Sequence, residues 1–158
     1  AYVSGDGRFV VWYGEQDHLR ISAMAFGTVL NDVFDRLQQA LEKIEAIEGL
    51  RFATSKTYGY VTSSPRNLGT AMRASVHVKL PKLTKNGADT TGAQALCRPL
   101  GLQVRGVMGR GTAAGSDGTV DISPSKMIFI QEAEVLANLY KGIAKLVEAE
   151  TRPFSPHL

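Results

Sequence analysis

The sequence predicts an α+β fold, a largely antiparallel sheet flanked by helices. Three observations carry this expectation. Apolar residues recur at helical spacing over two long segments, Thr28–Glu48 and Glu132–Glu150. Around them lie short runs rich in β-branched and aromatic residues. The links from strand to strand are short, which argues against a regular parallel order with crossover helices.

Taken in order, Phe9–Tyr13 (FVVWY) follows a Gly-Asp-Gly turn signal and is expected to be a strand, with both Trp12 and Tyr13 packed in the core. Leu19–Ala25 supplies a second strand. In Thr28–Glu48, Val29, Val33, Phe34, Leu37, Leu41, Ile44 and Ile47 share one face; Thr28 is the candidate N-cap and Gly49 the stop. Gly59–Thr62 and Ala74–Leu80 read as strands. In the latter, Ser75, His77 and Lys79 alternate against Ala74, Val76, Val78 and Leu80, the pattern of one buried face, and Pro81 ends it. Asp89–Cys97 has a weaker helical pattern, and Leu102–Val107 reads as a strand. Gly106–Gly118, rich in Gly, Ala and Ser, is expected to be a mobile loop. Thr119–Ser123 is a short strand. Glu132–Glu150 turns Val135, Leu136, Leu139, Ile143, Leu146 and Val147 inward.

Composition bounds the function. The chain has 158 residues, 44% of them hydrophobic, enough for one domain with a real core. No repeat or linker divides it. No apolar run approaches a membrane span, and no secretory signal is present. A single cysteine, Cys97, excludes an internal disulfide framework and fits a reducing, cytoplasmic compartment. A net charge of +3, with acids and bases interspersed, leaves no nucleic-acid footprint. The chain starts at Ala1 rather than Met, as a piece of a longer product does.

Four segments carry chemistry in a fixed order: Val11–Met24 (VWYGEQDHLRISAM), Ser64–Pro81 (SPRNLGTAMRASVHVKLP), Leu102–Gly106 (LQVRG) and Val120–Ser123 (VDIS). They resemble the catalytic core of the guanidino phosphotransferases, the family of arginine kinase, creatine kinase and the bacterial protein-arginine kinase. The first is similar to W-[VI]-N-E-E-D-H-L-R and the second to C-P-[ST]-N-L-G-T-x-x-R-A-x-V-H-x-K-L-P. The third opens the family's flexible loop and the fourth closes it. The ordered combination is specific, whereas any one tetrapeptide is weak.

The resemblance implies a glutamine-synthetase-like catalytic fold, of which residues 1–158 match the later part. In the family a small helical domain comes first, and an early S-T-R-V-R strand supplies two further phosphate-binding arginines; neither is among these residues. A sheet without its first strands exposes an edge. The missing part of a parent chain, or a protein partner, is therefore expected to cover it. By position, Arg20, Arg73 and Arg105 match the family's phosphate-clamping arginines, His77 the histidine against the adenine ring, and Asp121 an aspartate near the nucleoside. The implied cofactor is ATP or ADP, with magnesium carried by the phosphates. Guanidinium forks suit a triphosphate because they bind its oxygens bidentately and stabilise a transferring phosphoryl group. The competing reading pairs these arginines with acids or solvent, and makes His77 a half-buried strand histidine.

On the guanidinium side the sequence departs from the family. The acid that orients the substrate is Gln16, which is neutral and is no base near neutral pH. The thiol position is Ser64, whose hydroxyl stays neutral. The loop glutamate is Arg110, a positive charge where a cationic substrate would sit, although creatine kinase lacks that glutamate too. Arg66 replaces a small Ser or Thr.

Other candidates are weaker. Glu15, Asp17 and His18 divide between faces, so no metal set follows. Ser63 and Ser64 sit near His77 in sequence without a nucleophile elbow, which favours a loop cap. The glycines Gly106, Gly109, Gly111, Gly115 and Gly118 lack the phosphate-loop pattern and read as loop flexibility. Two functions remain. One is a degenerate domain that serves as a nucleotide-binding or structural module. The other is an active phosphotransferase completed by segments outside this chain. The loss of Gln16, Ser64 and Arg110 as anionic contacts favours the first.

Overall fold

The computed structural model describes residues 1–27, 29–107, 113–126 and 128–152. They fall into two compact units, Ala1–Ala71 and a second from Met72 onward.

In the first unit, strands β1 (Tyr2–Val3), β2 (Phe9–Glu15) and β3 (His18–Ala23) form an antiparallel sheet in the order β1-β2-β3. The β2–β3 register sets Val10 opposite Ser22 and Trp12 opposite Arg20, and an irregularity falls between Tyr13 and Glu15. Helix α1 (Leu30–Glu45) packs on β3. Asp32 in its first turn and Lys43 in its last suit the helix dipole. The helix is shorter than the predicted Thr28–Glu48. Ile47 N–H turns back to the Ile44 carbonyl, a tightened final turn, before Gly49 at φ +81°. The predicted N-cap, Thr28, lies outside the described residues. A two-strand pairing follows, β4 (Thr54–Ser55) with β5 (Gly59–Tyr60), and then a 3₁₀ turn at Pro65–Asn67.

Two expectations for this unit are corrected. Tyr13 is 76% exposed and Trp12 is exposed too, so these rings are not core. Only the start of β2, at Val10, is buried; the ribbon's far end runs on toward its turn. No residue of α1 is fully buried, and Val29 and Ile47 of its predicted apolar face are exposed.

The second unit holds the main core. Strands β6 (Val76–Lys79), β7 (Leu102–Arg105) and β8 (Thr119–Pro124) form an antiparallel sheet in the order β6-β8-β7. Helix α2 (Thr91–Cys97) packs on β7, and helix α3 (Glu132–Thr151) on β8 and β7. Asp89 accepts the Thr91 N–H ahead of α2, and a 3₁₀ turn at Arg98–Leu100 leads out of it to Gly101. Because side chains alternate along a strand, the register sorts the sheet into two faces. Val76, Ile122 and Val104 share one row and Val78 and Val120 another, on the apolar face. Leu80, Cys97, Leu102, Val120, Ile122, Leu139 and Leu146 are buried. Gly142 lets α3 approach closely: a β-carbon there would lie 2.1 Å from Leu102 Cδ1. Val147, expected inward, is exposed.

Part of the predicted mobile loop is a hydrogen-bonded turn instead. Gly115 N–H donates to the Thr119 carbonyl, Gly118 N–H to the Gly115 carbonyl, and Thr119 N–H to Asp117 Oδ1. Gly109, Arg110 and Gly111 lie outside the described residues.

Candidate functional site

The polar face of the second unit's sheet carries three of the predicted residues in one row. His77 on β6 faces Asp121 on β8, and Asp121 faces Arg105 on β7. The row is flanked by the pairs Lys79–Thr119 and Gln103–Ser123. Three strands with strict alternation are what bring together residues so far apart in sequence.

Its electrostatics are unusual for a sheet surface. Asp121, on the central strand, is only 6% exposed, and its Oδ1 finds no hydrogen-bond partner among the described residues. Arg105 Nε and Ser123 Oγ are likewise buried and without a partner among them. Buried polar atoms normally find one, so this row holds unmet donor and acceptor capacity. His77 is exposed, which sets aside the half-buried reading. Arg105 also lines a cavity of about 490 Å³, with Gly87, Thr90, Gln94 and Gln103 around it. Lys79 pairs with Asp117 at 3.4 Å. The Asp117 carboxyl is held below the usual carboxylate range, first by hydrogen bonds from Thr119 and then by Lys79. Arg73 is exposed and lies just before β6.

In the first unit, the turn Gln16–Asp17 is tied to the segment around Ser64. Asp17 Oδ1 accepts the Ser64 N–H at 2.8 Å, and Oδ2 accepts from Asn67 Nδ2. The Asn67 amide, followed by the Ser64 N–H, holds the Asp17 carboxyl below its ordinary value. Gln16 is exposed and Ser64 half-buried, so the clamp brings together the segments that carry both neutral replacements. Ser64 stands at the N-cap of the 3₁₀ turn, yet no cap bond comes from its side chain. Its backbone does the work instead, as donor to Asp17 and acceptor from Asn67 N–H. Arg66 is exposed on that turn. Arg20 lies 3.8 Å from Glu15 and stacks over the Trp12 ring at 5.5 Å, so it carries an acid partner of its own. Among the described residues no three His, Cys, Asp or Glu side chains could hold a metal ion.

The Asp17 clamp was missed by sequence reasoning. Asp17 was weighed there only as a metal ligand, and Asn67 of P-x-N-L-G-T was the signal that could have found it. The row of His77, Asp121 and Arg105 depends on register, which no local pattern fixes.

The fold matches one class of protein. The family model for the ATP:guanido phosphotransferase C-terminal catalytic domain matches residues 1–153. The chain belongs to that family. It is 37% identical over 150 residues to an arginine kinase from Amphioctopus fangsiao, covering 95% of this chain and 41% of that protein. A taurocyamine kinase from Schistosoma mansoni is 41% identical over 143 residues, covering 90% of this chain and 18% of that protein. Among solved structures, the duplicated taurocyamine kinase of S. mansoni with bound transition state analog components aligns with a TM-score of 0.82 at 37% identity, over 93% of this chain and 20% of its own. A lombricine kinase aligns with a TM-score of 0.81 at 33% identity, over 92% and 40%. The chain thus spans less than half the length of these relatives. Among the described residues no helix is long and apolar enough to cross a membrane.

Proposed function

We propose that this chain is the later part of a guanidino kinase catalytic domain that has kept its nucleotide side and lost its guanidinium side. It serves as a nucleotide-binding or interaction module rather than as a phosphotransferase. The observation that carries the reading is the row of His77, Asp121 and Arg105, in which buried Asp121 Oδ1 and Arg105 Nε have no hydrogen-bond partner among the described residues. A nucleotide offers complementary groups: hydroxyls for a carboxylate, phosphates for a guanidinium and a flat base for an imidazole.

In this reading Arg105 and Arg73 face the phosphates of ATP or ADP, which carry their own Mg²⁺, and Arg20 keeps the phosphate-binding role that its motif implies. Arg20 must exchange its long contact with Glu15 for phosphate, which costs little because the pair is exposed. On the acceptor side, Gln16 and Ser64 offer no anion to hold a guanidinium or take its proton, and Arg110 adds a positive charge. Loss of one positioned acid or base lowers a rate by about 10²–10⁴-fold, and residues that act as a unit do not multiply simply. A partner, or further chain of the same protein, covers the sheet edge. Residence in a reducing cytoplasm belongs to the same reading and rests on the single buried Cys97.

Calorimetry with ADP and Mg²⁺ tests the nucleotide side. Weak binding is expected, and Arg73→Ala abolishes it; unchanged affinity in that variant places the ligand elsewhere. A coupled ATP-consumption assay with free arginine, creatine or a protein arginine tests the acceptor side. No turnover is expected. Robust turnover that disappears in Arg73→Ala overturns the inactive reading and favours an active phosphotransferase.

A further inference from the structure

Glu150 stands in the last turn of α3, which carries no basic residue. A carboxylate there meets the negative end of the helix dipole, so its own helix does not favour it. The loop after β6 is what holds it. The N–H groups of Lys82 and Leu83 donate to Glu150 Oε1 and Oε2 at 2.8 and 2.9 Å. Successive backbone N–H groups aimed at one anion form a nest, and here the protein fills the nest with its own side chain.

From this anchor the loop is built inward. The buried Thr84 donates its hydroxyl to the Leu80 carbonyl at 2.7 Å and accepts the Gly87 N–H at 3.1 Å. Asn86 N–H donates to the Pro81 carbonyl at 2.7 Å. Gly87 then runs so close to the next turn that a β-carbon on it would lie 2.2 Å from the Gly115 carbonyl oxygen. Gly87, Ala88 and Thr90 form the wall of the cavity that Arg105 also lines. A carboxylate at the end of α3 therefore anchors the start of the loop whose far side forms that wall.

We infer that Glu150 is a positioning residue for nucleotide binding, holding the wall formed by Gly87, Ala88 and Thr90 at its distance from Arg105. This rests on the nucleotide reading above. Backbone N–H donors to a carboxylate are strong and directional, and they tie the loop to α3 in addition to the bond from Leu80 N–H to the Gly118 carbonyl.

The ¹⁵N-labelled chain, titrated with ADP and Mg²⁺ as unmodified protein, Glu150→Gln and Glu150→Ala, supplies the test. In Glu150→Ala, amide exchange should rise about tenfold or more over residues 82–90, while core amides such as Val120 and Leu139 stay protected. ADP affinity should fall about fivefold to tenfold, and Glu150→Gln, which keeps one acceptor oxygen, should recover part of it. Faster exchange with unchanged ADP affinity overturns the positioning role alone. Exchange that also spreads through the core makes Glu150 a general stability residue and overturns it too. Failure of the unmodified chain to bind ADP at all overturns the nucleotide reading, and this inference with it.

Discussion

Asp17 and the groups it holds stabilise one another, and that coupling sets a pH dependence. Its carboxylate accepts from Ser64 N–H and the Asn67 amide, so its folded pKa lies below the unfolded value of about 3.9. A depressed carboxylate adds stability above the unfolded pKa and loses it as pH falls through the folded one. Asp17→Ala should therefore cost about 1 kcal/mol at pH 7, with the usual discount for a solvent-accessible site, and cost less at about pH 3, below the unfolded pKa. Urea denaturation of both proteins at the two pH values checks this; an equal gap at both would mean the carboxylate's charge plays no part. Cys97 makes the opposite case. Burial pushes its thiol up to about 11, so at neutral pH the native thiol should resist iodoacetamide and react readily only in denaturant. Rapid native alkylation would show that the α2 packing opens.

At the scale of elements, two glycines separate tight packing from tight backbone. At Gly118, with φ +83°, a β-carbon would lie 2.6 Å from Pro81 Cα, and the Gly118 carbonyl accepts the Leu80 N–H. Backbone cannot step aside, so Gly118→Ala should cost about 2 kcal/mol or more. At Gly142 the obstacle is the tip of the Leu102 side chain, and alanine improves helix propensity by about 1 kcal/mol, which offsets part of an overpacking cost of about 1–3 kcal/mol. Thermal melts should rank Gly118→Ala as the more damaging; the reverse order would mean that the Leu102 side chain cannot yield. Neither glycine's role was legible in the sequence, because both depend on what arrives from elsewhere in the chain. The elements themselves were largely legible. The alternation in Ala74–Leu80 gave β6, and the apolar stripe of Glu132–Glu150 gave α3 to within one residue. Strand β1 was not, since two residues carry no periodicity. FVVWY reads as a core strand because hydrophobicity reports preference and not location; the structure buries Val10 and leaves Tyr13 in solvent.

At the scale of the whole molecule, the family's motifs are legible where they are local and silent where they depend on assembly. Motif register singles out Arg20, Arg73, His77, Arg105 and Asp121 as candidates, and the sheet aligns three of them in one row. Whether such a row does chemistry depends on more than the row. A phosphoryl transfer needs charge neutralised on the phosphates and an acceptor held and deprotonated at once. In our reading the S-T-R-V-R strand implied by the family resemblance completes the arginine clamp. The triple variant Gln16→Glu, Ser64→Cys and Arg110→Glu restores the acceptor-side anions without touching the phosphate side. Made in this chain alone, it should remain without measurable turnover, because two arginines of the clamp are still absent. Fused behind a segment carrying that strand, the triple variant should show phosphoryl transfer to a guanidinium, while the unmodified chain in the same fusion should stay at least about 10²-fold slower. Equal rates in the two fusions would mean that Gln16, Ser64 and Arg110 are no barrier to catalysis, and the active reading would replace the inactive one.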